Sequence, residues 1–306
     1  MKEKEFIEII KATLNSDYIG DDCAYLKDLE IVVSQDSLVE DVHFSLKYST
    51  PYQLGYKSVA VNISDICASG AEPKYITIAV SLPNNTEKDF IEQFYKGAKE
   101  TSGSAQIVGG DITGADKIYI SVTAIGQTFG RKISSRSNAK IGQKIVISGN
   151  HGSSAVGLKL LQGTYFPEFT QEEKKDFINA HLMPQAQLEF SKKIAESQKS
   201  DYAMMDTSDG LADALYSIAA ASNVMLDIDF NKVPHLSSLE KISNYENYIL
   251  YGGEDYGLVA TVDNPYDMIV IGEVKEGCGV KINYSSRTEI LTKETVEKNL
   301  YNHFKE

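Results

Sequence analysis

The 306-residue chain is long enough for two domains of about 150 residues, and its 42% hydrophobic and 24% charged residues indicate a globular rather than a disordered protein. A formal net charge of -13 argues against a dedicated nucleic-acid surface, although divalent metals would still allow anionic substrates. The sequence has no run of 18 apolar residues, and its acid-containing N-terminus lacks a signal-peptide core, so we expect neither a membrane span nor a leader.

Hydrophobic periodicity predicts alternating helices and strands in the first half of the chain. Helices are predicted over 3–14, 52–69 and 87–101, and strands over 31–39, 75–82 and 117–128. In the last of these strands every second residue from Ile118 to Ala124 is apolar, which is typical of a strand buried on one face.

A polar stretch over 129–143 is the best candidate for a domain boundary, and it predicts domains at 1–137 and 138–306. Beyond it, the pattern predicts helices over 153–162, 171–180, 185–198 and 209–221, and strands over 144–149, 201–206, 224–230, 257–262, 268–274 and 280–284. Strands and helices in both halves predict an α+β fold in which helices cover one face of each sheet.

The three cysteines, Cys23, Cys67 and Cys278, are odd in number and show no CxxC spacing. They cannot all pair within one chain, so we expect reduced thiols and a cytoplasmic location.

Several acidic residues stand where apolar segments meet turn residues. They are Asp21 and Asp22 after Gly20, Asp36 in a strand, Asp111 after two glycines, and Asp206 and Asp209 in the segment DTSDG. Asp65 differs, because it lies within a predicted helix beside Asn62 and Ser64. Oxygen ligands with few nearby histidines suit Mg²⁺ rather than Zn²⁺, and converging carboxylates would repel one another without a metal.

Each of these acids also has a simpler interpretation. Asp22 and Asp209 are of a type that is favoured in turns and at helix N-caps. Asp65 fits an ordinary solvated helical acid, Asp36 a charge at a strand edge, and Gly109-Gly110-Asp111 a turn after a strand.

Other polar segments leave two interpretations open. Residues 149–154 offer backbone amides for a phosphate between a strand and a helix, but they lack the P-loop and dinucleotide patterns and fit a plain turn. Arg131, Arg136 and Arg287 suit either phosphate contact or the surface. An isolated histidine such as His43 is more often structural, and residues 252–256 fit a turn as well as a ligand loop.

In order along the chain, eight blocks resemble the thiamine-monophosphate kinase family, within the superfamily of aminoimidazole ribonucleotide synthetase and selenophosphate synthetase. The blocks are IGDDCA (19–24), SQDSLVEDVHF (34–44), GYKSVAVNISDICASGAEP (55–73), VGGDIT (108–113), SRSNAKIGQKIVISG (135–149), MMDTSDGL (204–211), GGEDYGL (252–258) and LYNHF (300–304). The likeness spans nearly the whole chain, and eight ordered blocks are far more specific than any one of them.

The resemblance implies a two-domain α+β fold. Its N-terminal sheet would form a barrel with a second subunit in a homodimer, and its C-terminal domain would pack against the N-terminal one. The implied reaction is transfer of the γ-phosphoryl group of ATP to thiamine monophosphate in thiamine diphosphate biosynthesis, with ATP as co-substrate, several Mg²⁺ ions, and neither nucleic acid nor membrane as partner.

The family's functional residues carry over position by position. Ligands for Mg²⁺ would be Asp22, Ser34, Gln35, Asp36, Asp65, Asp111, Asp206 and Asp209. Nucleotide contacts would be Gly110, Asp111, Arg136 and Ser208, and substrate contacts would be His43, Glu254 and Tyr301. Within these sets, Asp209 and Arg136 are predicted to act in the transfer itself.

Three positions depart from the family's pattern. Gln35 stands where the family has threonine, Gln187 replaces the arginine of a Pro-x-Pro-Arg stretch, and Gly257 replaces an acid. None removes a principal acidic ligand, so the sequence predicts an active kinase. The rival hypotheses are an ATP-dependent synthetase of the same superfamily and a nucleotide-binding regulatory protein that has lost turnover.

Overall fold

The first half of the chain builds one mixed sheet and the helices that pack on it. The computed structural model describes residues 3–301. It forms α1 (Glu3–Leu14), β1 (Ala24–Leu26), β2 (Ile31–Val39), α2 (Pro51–Ser69), β3 (Glu72–Leu82), α3 (Lys88–Ser102), β4 (Gln106–Gly114) and β5 (Tyr119–Gln127). The strand order is β1-β2-β5-β3-β4, in which β3 and β4 are parallel and the other neighbours antiparallel.

The second half builds a larger mixed sheet. Its elements are β6 (Lys144–Ile147), α4 (Ser153–Leu161), α5 (Gln171–Leu182), α6 (Leu188–Ser197), β7 (Met204–Asp206), α7 (Leu211–Ser222), β8 (Met225–Asp229), α8 (Tyr245–Tyr251), β9 (Leu258–Val262), β10 (Ile269–Lys275), β11 (Gly279–Asn283), β12 (Thr288–Leu291) and α9 (Lys293–Asn299). The strand order is β12-β11-β8-β10-β6-β9-β7.

Helix α2 begins with strong local signals. Thr50 caps it in a capping box with Gln53, Pro51 occupies the first turn, and Gly70 ends it in the left-handed conformation at φ 84°. The helix crosses α3 at close range, because a Cβ on Gly55 would lie 1.9 Å from the carbonyl oxygen of Phe94. Only glycine permits that approach of the two backbones.

Helix α2 is buried on all sides from Leu54 to Ser69, except at the half-buried Asp65. It packs between the first sheet and β7 of the second sheet, so residues of both halves share one apolar core that includes Ile63, Ile78, Val146 and Met204. Helix α2 thus covers one face of the first sheet, as predicted, and also contacts the second sheet, which was not predicted. The division into domains at residues 137 and 138 stays a prediction.

The periodic elements were predicted well, and several short or exposed ones were missed. Strand β2 has the predicted bounds, and α1 and α5 begin where predicted. Edge strand β4 was interpreted as a possible turn because of its glycines, and β1, β12, α8 and α9 were not predicted. Between residues 3 and 301 no helix combines the length and apolar character that a membrane crossing requires.

Candidate active site

Three carboxylates from distant parts of the chain meet at helix α2, which contacts strands of both sheets. One carboxylate oxygen each from Asp22, Asp65 and Asp206 lies within 4.8 Å of the other two. Asp22 precedes the short strand β1, Asp65 lies on α2, and Asp206 ends β7. Three converging carboxylates with oxygen donors only fit a divalent cation such as Mg²⁺.

Helix α2 organises this acid cluster through its buried polar side chains. Ser64 Oγ donates to Asp206 Oδ2 at 2.7 Å, and Ser34 Oγ of β2 donates to Asp65 Oδ2. Asn62 Oδ1 accepts the backbone N–H of Asp36 at 3.0 Å. Strand β1 pairs only with residues 31–33 of β2 and does not reach Asp36. The Asn62 side chain therefore accepts the Asp36 N–H in place of a neighbouring strand.

Burial and mutual repulsion raise the pKa values in the acid cluster. Burial raises the pKa of Asp22 to about 7, against the opposing effect of Arg136 and with a further contribution from Asp206. The pKa of Asp65 is raised by burial and then by Asp36, Asp206 and Asp22. A bound cation would remove this penalty, because it favours the ionised carboxylates.

Arg136 lies beside the acid cluster. Its Nη2 donates to Asp22 Oδ1 at 2.7 Å, and its backbone N–H donates to Asp21 Oδ1 at 2.8 Å. The Nε atom is buried and has no hydrogen-bond partner among the described residues. Arg131 and Arg287 are instead engaged with Glu196 and Glu246, which supports the surface interpretation for these two arginines.

Strand alternation separates Gln35 from its predicted neighbours. Ser34 and Asp36 follow the inner, helix-facing side of β2, while Gln35 is exposed on the outer side. There the Gln35 amide contacts Ser121 Oγ at 3.3 Å and Thr123 Oγ1 at 3.2 Å. The structure therefore does not bring the Gln35 side chain to the acid cluster.

Gly110 and Asp111 lie on β4, the exposed edge of the first sheet. Gly110 permits a close pairing with β3, since a Cβ there would lie 1.8 Å from Ile78 O. Asp111 pairs in register with Ala79, on the outer side of the sheet. Two strands stand between β4 and β2, so Asp111 lies about 14 Å from Asp36 within one chain.

The segment after β7 carries Ser208 and Asp209. Ser208 Oγ donates to Asp206 Oδ1 at 2.8 Å, which ties this loop to the acid cluster. Asp209 is exposed and is not the cap of α7, because the N-cap residue is Gly210. Asp22 likewise precedes a strand and pairs with Arg136, so neither residue is a helix N-cap, although Asp209 does lie in a turn.

The loop 252–257 packs against the loop of Ser208 and carries Glu254. The Glu254 backbone has φ 66°, in the left-handed region, and its N–H donates to Ser208 O at 2.7 Å. The Glu254 carboxylate lies 3.0 Å from Lys57 Nζ and 3.4 Å from His181 Nδ1. Burial alone would raise the pKa of Glu254, but Lys57 and His181 lower it, so the carboxylate is ionised.

The other two predicted substrate contacts are His43 and Tyr301. His43 Nδ1 accepts the backbone N–H of Val39 at 3.1 Å, and His43 lies near enough to Glu254 to lower its pKa. Tyr301 follows α9 and is 64% exposed. The remainder of its block, residues 302–304, lies outside the described residues.

The glycine-rich turn before α4 is already occupied. Asp255 Oδ2 accepts the N–H of Gly152 at 2.6 Å, and Oδ1 accepts that of Ser154 at 2.8 Å. Because this carboxylate uses the amides at the start of α4, the structure favours the turn interpretation over a phosphate site.

Two of the departures from the family's pattern have local explanations. A Cβ on Gly257 would lie 2.6 Å from Ser148 O and 2.8 Å from Nε2 of His151, which is fully buried. Gln187 Nε2 donates to Gln185 O at 2.7 Å, and Gln185 Nε2 donates to the Tyr56 hydroxyl at 2.7 Å. His151 thus fills the space beside Gly257, and the two glutamines bind within the protein.

Sequence reasoning gave no role to Lys57, His181, Asn62 or Ser64. The two polar residues just before Asp65 were noted, but only their burial on α2 shows that they must have partners. Lys57 and His181 lie within amphipathic helical patterns in which a basic residue is expected on the surface.

Comparisons with known proteins agree with this fold. The family model "AIR synthase related protein, N-terminal domain" matches residues 20–128. "Thiamine-monophosphate kinase" of Bacillus subtilis (strain 168) is 35% identical over 94% of this chain and 93% of its own. A solved structure of "Thiamine Monophosphate Kinase (thil) from Aquifex Aeolicus" is similar at a TM-score of 0.80 with 34% identity, covering 92% of this chain and 98% of its own.

A second solved structure, "AaThiL complexed with AMPPCP and TMP", is similar at a TM-score of 0.85 with 34% identity, covering 99% of this chain and 97% of its own. The fold is therefore the α+β fold of the aminoimidazole ribonucleotide synthetase-like proteins. The chain belongs to the thiamine-monophosphate kinase family. The resemblance inferred from the eight sequence blocks is confirmed.

Proposed function

We propose that this protein transfers the γ-phosphoryl group of ATP to thiamine monophosphate, giving ADP and thiamine diphosphate. Family membership supports the reaction, and the similar structure that holds AMPPCP and TMP supports both substrates. The observation that carries the proposal is the convergence of Asp22, Asp65 and Asp206 beside Arg136. Two phosphates must approach each other in this reaction, and their repulsion is the main obstacle.

We propose that Asp22, Asp65 and Asp206 hold Mg²⁺, with Ser34, Asp36, Asp111 and Asp209 as further ligands. The bound ions would neutralise phosphate charge and align the reacting groups. The free Nε of Arg136 is a donor for the nucleotide, and Asp22 fixes its guanidinium in place. Gly110 and Ser208 are the further proposed nucleotide contacts.

The residues of this chain favour direct in-line transfer. A phosphate acceptor is largely ionised near neutral pH, so its oxygen can attack without a dedicated general base. Ser154 is close to a histidine, but its Oγ faces His181 Nδ1, the same ring nitrogen that Glu254 approaches. A Ser-His-acid catalytic triad differs from this arrangement, because its serine and its acid bind the two different ring nitrogens of the histidine.

The experiment that tests the function measures products directly. With ATP, Mg²⁺ and thiamine monophosphate, the purified protein should form thiamine diphosphate and ADP in equal amounts. Release of inorganic phosphate with a different product would instead support a synthetase, and nucleotide binding without ADP formation would support a regulatory protein.

Substrate binding gives a prediction at Tyr301. Tyr301→Ala should raise the KM for thiamine monophosphate, because an aromatic face can stack on the cationic thiazolium ring. A cation–π contact of roughly 0.5–2 kcal/mol corresponds to about a twofold to thirtyfold change. Tyr301→Phe keeps the ring and should stay close to the parent protein. Equal increases in the KM for ATP and for thiamine monophosphate would contradict this role.

We propose that the protein is a homodimer whose partner completes the metal site. Asp111 of one chain lies too far from Asp36 to share a metal with it. Val108 and Ile112 on the same edge strand are 56% and 66% exposed, which suits an interface that covers them. The predicted barrel across the dimer would place Asp111 of the partner subunit near the acid cluster.

Complementation tests this arrangement. Asp111→Asn and Asp206→Asn should each be nearly inactive as pure dimers. Each mixed dimer contains one intact site of two, so the purified mixed dimer should have about half of the parent activity. Co-expressing the two variants with different tags and assaying the doubly purified dimer measures this recovery. No recovery, or a monomer by analytical ultracentrifugation, would contradict a shared site.

We also propose the division into domains at residues 137 and 138 and a cytoplasmic location. The two sheets support the first proposal, since all strands of one end by Gln127 and all strands of the other begin at Lys144 or later. The unpaired thiols of Cys23, Cys67 and Cys278 support the second.

A further inference from the structure

Lys57 is a buried lysine on α2. Its side chain is 5% exposed, and its Nζ lies 3.0 Å from Glu254 Oε1. Among the described residues Nζ makes no hydrogen bond beyond this ion pair. A buried ammonium carries a desolvation penalty that a well-placed anion offsets, and the Glu254 carboxylate is the anion beside Lys57.

The carboxylate of Glu254 is held from two sides. Oε1 faces Lys57 on α2, and Oε2 faces His181 Nδ1 on α5 at 3.4 Å. The ring of His181 is in turn 3.0 Å from Ser154 Oγ at the start of α4. Burial and Lys57 lower the pKa of His181 to about 4, so the histidine is neutral near pH 7 and Lys57 is the full positive charge of this group.

Stability alone gives a weak reason for such a pair. Replacing a buried ion pair by apolar residues of similar volume is often neutral or stabilising. The backbone of Glu254 is also in the left-handed region, which is unfavourable for a residue with a side chain. The protein therefore holds Glu254 in one orientation at an energetic cost, as is common for residues that contact ligands.

We propose that Lys57 is a positioning residue that fixes the Glu254 carboxylate for the acceptor substrate. The inference rests on the proposed function, in which Glu254 contacts thiamine monophosphate. Each carboxylate oxygen keeps a lone pair beyond its contact with Lys57 or His181. The acceptor has an amino group and a cationic ring, and both suit an ionised carboxylate whose orientation is already set.

Steady-state kinetics of Lys57→Met and Lys57→Arg test the proposal. The Met variant keeps the length of the side chain but leaves Glu254 without its cation. Because small misplacements of a binding group have large effects, its KM for thiamine monophosphate should rise about tenfold or more, with the KM for ATP within about twofold. The Arg variant retains a cation and should recover most of the difference. Unchanged KM values, or equal rises for both substrates, would overturn the proposal.

The double variant Lys57→Met/Glu254→Gln serves if Lys57→Met does not fold, because it leaves no unpaired buried charge, and Glu254→Gln is the single variant compared with it. If Lys57 acts through Glu254, both should have the same raised KM for thiamine monophosphate. If the double variant has a parent-like KM for thiamine monophosphate, the pair is only structural. If the double variant has a KM well above that of Glu254→Gln, Lys57 makes a separate contact with the substrate. A parent protein that forms no thiamine diphosphate would refute the proposed function itself, whereas an active parent with an unaffected Lys57→Met variant would refute only this inference.

Discussion

Asp65→Asn is expected to lower the rate of phosphoryl transfer by about 10²-fold or more, the size of a lost transition-state contact. Asparagine supplies an amide oxygen but no negative charge to a bound metal. The same change should leave the metal-free protein at least as stable as the parent. It removes a buried charge and its repulsion with Asp36, Asp206 and Asp22, and burial and repulsion together raise the Asp65 pKa. Turnover numbers and metal-free melting temperatures measure the two effects.

Asp116→Asn is the matched control, because Asp116 is an exposed acid in the turn between β4 and β5. It should change neither the turnover number nor the melting temperature. A folded Asp65→Asn protein with near-normal turnover would remove Asp65 from the metal site and return it to a structural role on α2.

Mg²⁺ together with a nucleotide should raise the melting temperature more than Mg²⁺ alone does. Without metal the carboxylates of the acid cluster repel one another. Phosphate oxygens would complete the ligand shell of a bound ion. A ligand at 100 times its Kd stabilises the native state by about 2.7 kcal/mol. Differential scanning fluorimetry with ADP or a non-hydrolysable ATP analogue measures the shift.

Sodium or potassium chloride at matched ionic strength should not reproduce this shift, because screening differs from directed ligation. The Asp65→Asn variant should lose most of it. Identical melting temperatures in salt and in Mg²⁺–nucleotide would contradict a converging metal site.

Much of the fold followed from periodicity, and the exceptions have physical reasons. Strand β4 was missed because an edge strand buries too little to show alternation, and Gly109 and Gly110 favour a turn by composition. Helix α2 was predicted, but not its burial on every side. That burial depends on tertiary partners for Asn62 and Ser64, which periodicity does not report.

The candidate site could likewise be predicted from the sequence only in part. The resemblance selected Asp22, Asp65 and Asp206, and the structure brings them together. Strand alternation alone would have separated Gln35 from Ser34 and Asp36, since neighbouring residues of a strand face opposite sides. Lys57 gave no such signal, because nothing within its helix reveals that Glu254 lies opposite it.

Gly257 and His151 are in such close contact that substitutions at these two positions can accumulate only in a restricted order. A side chain at Gly257 would meet both Nε2 of His151 and the Ser148 carbonyl, and the His151 ring nitrogens have no hydrogen-bond partner among the described residues. Shrinking His151 first removes one of these two contacts, so that only the Ser148 carbonyl must shift, whereas enlarging Gly257 first meets both at once. Laboratory evolution toward an acid at this position should therefore pass through a change at His151 before one at Gly257.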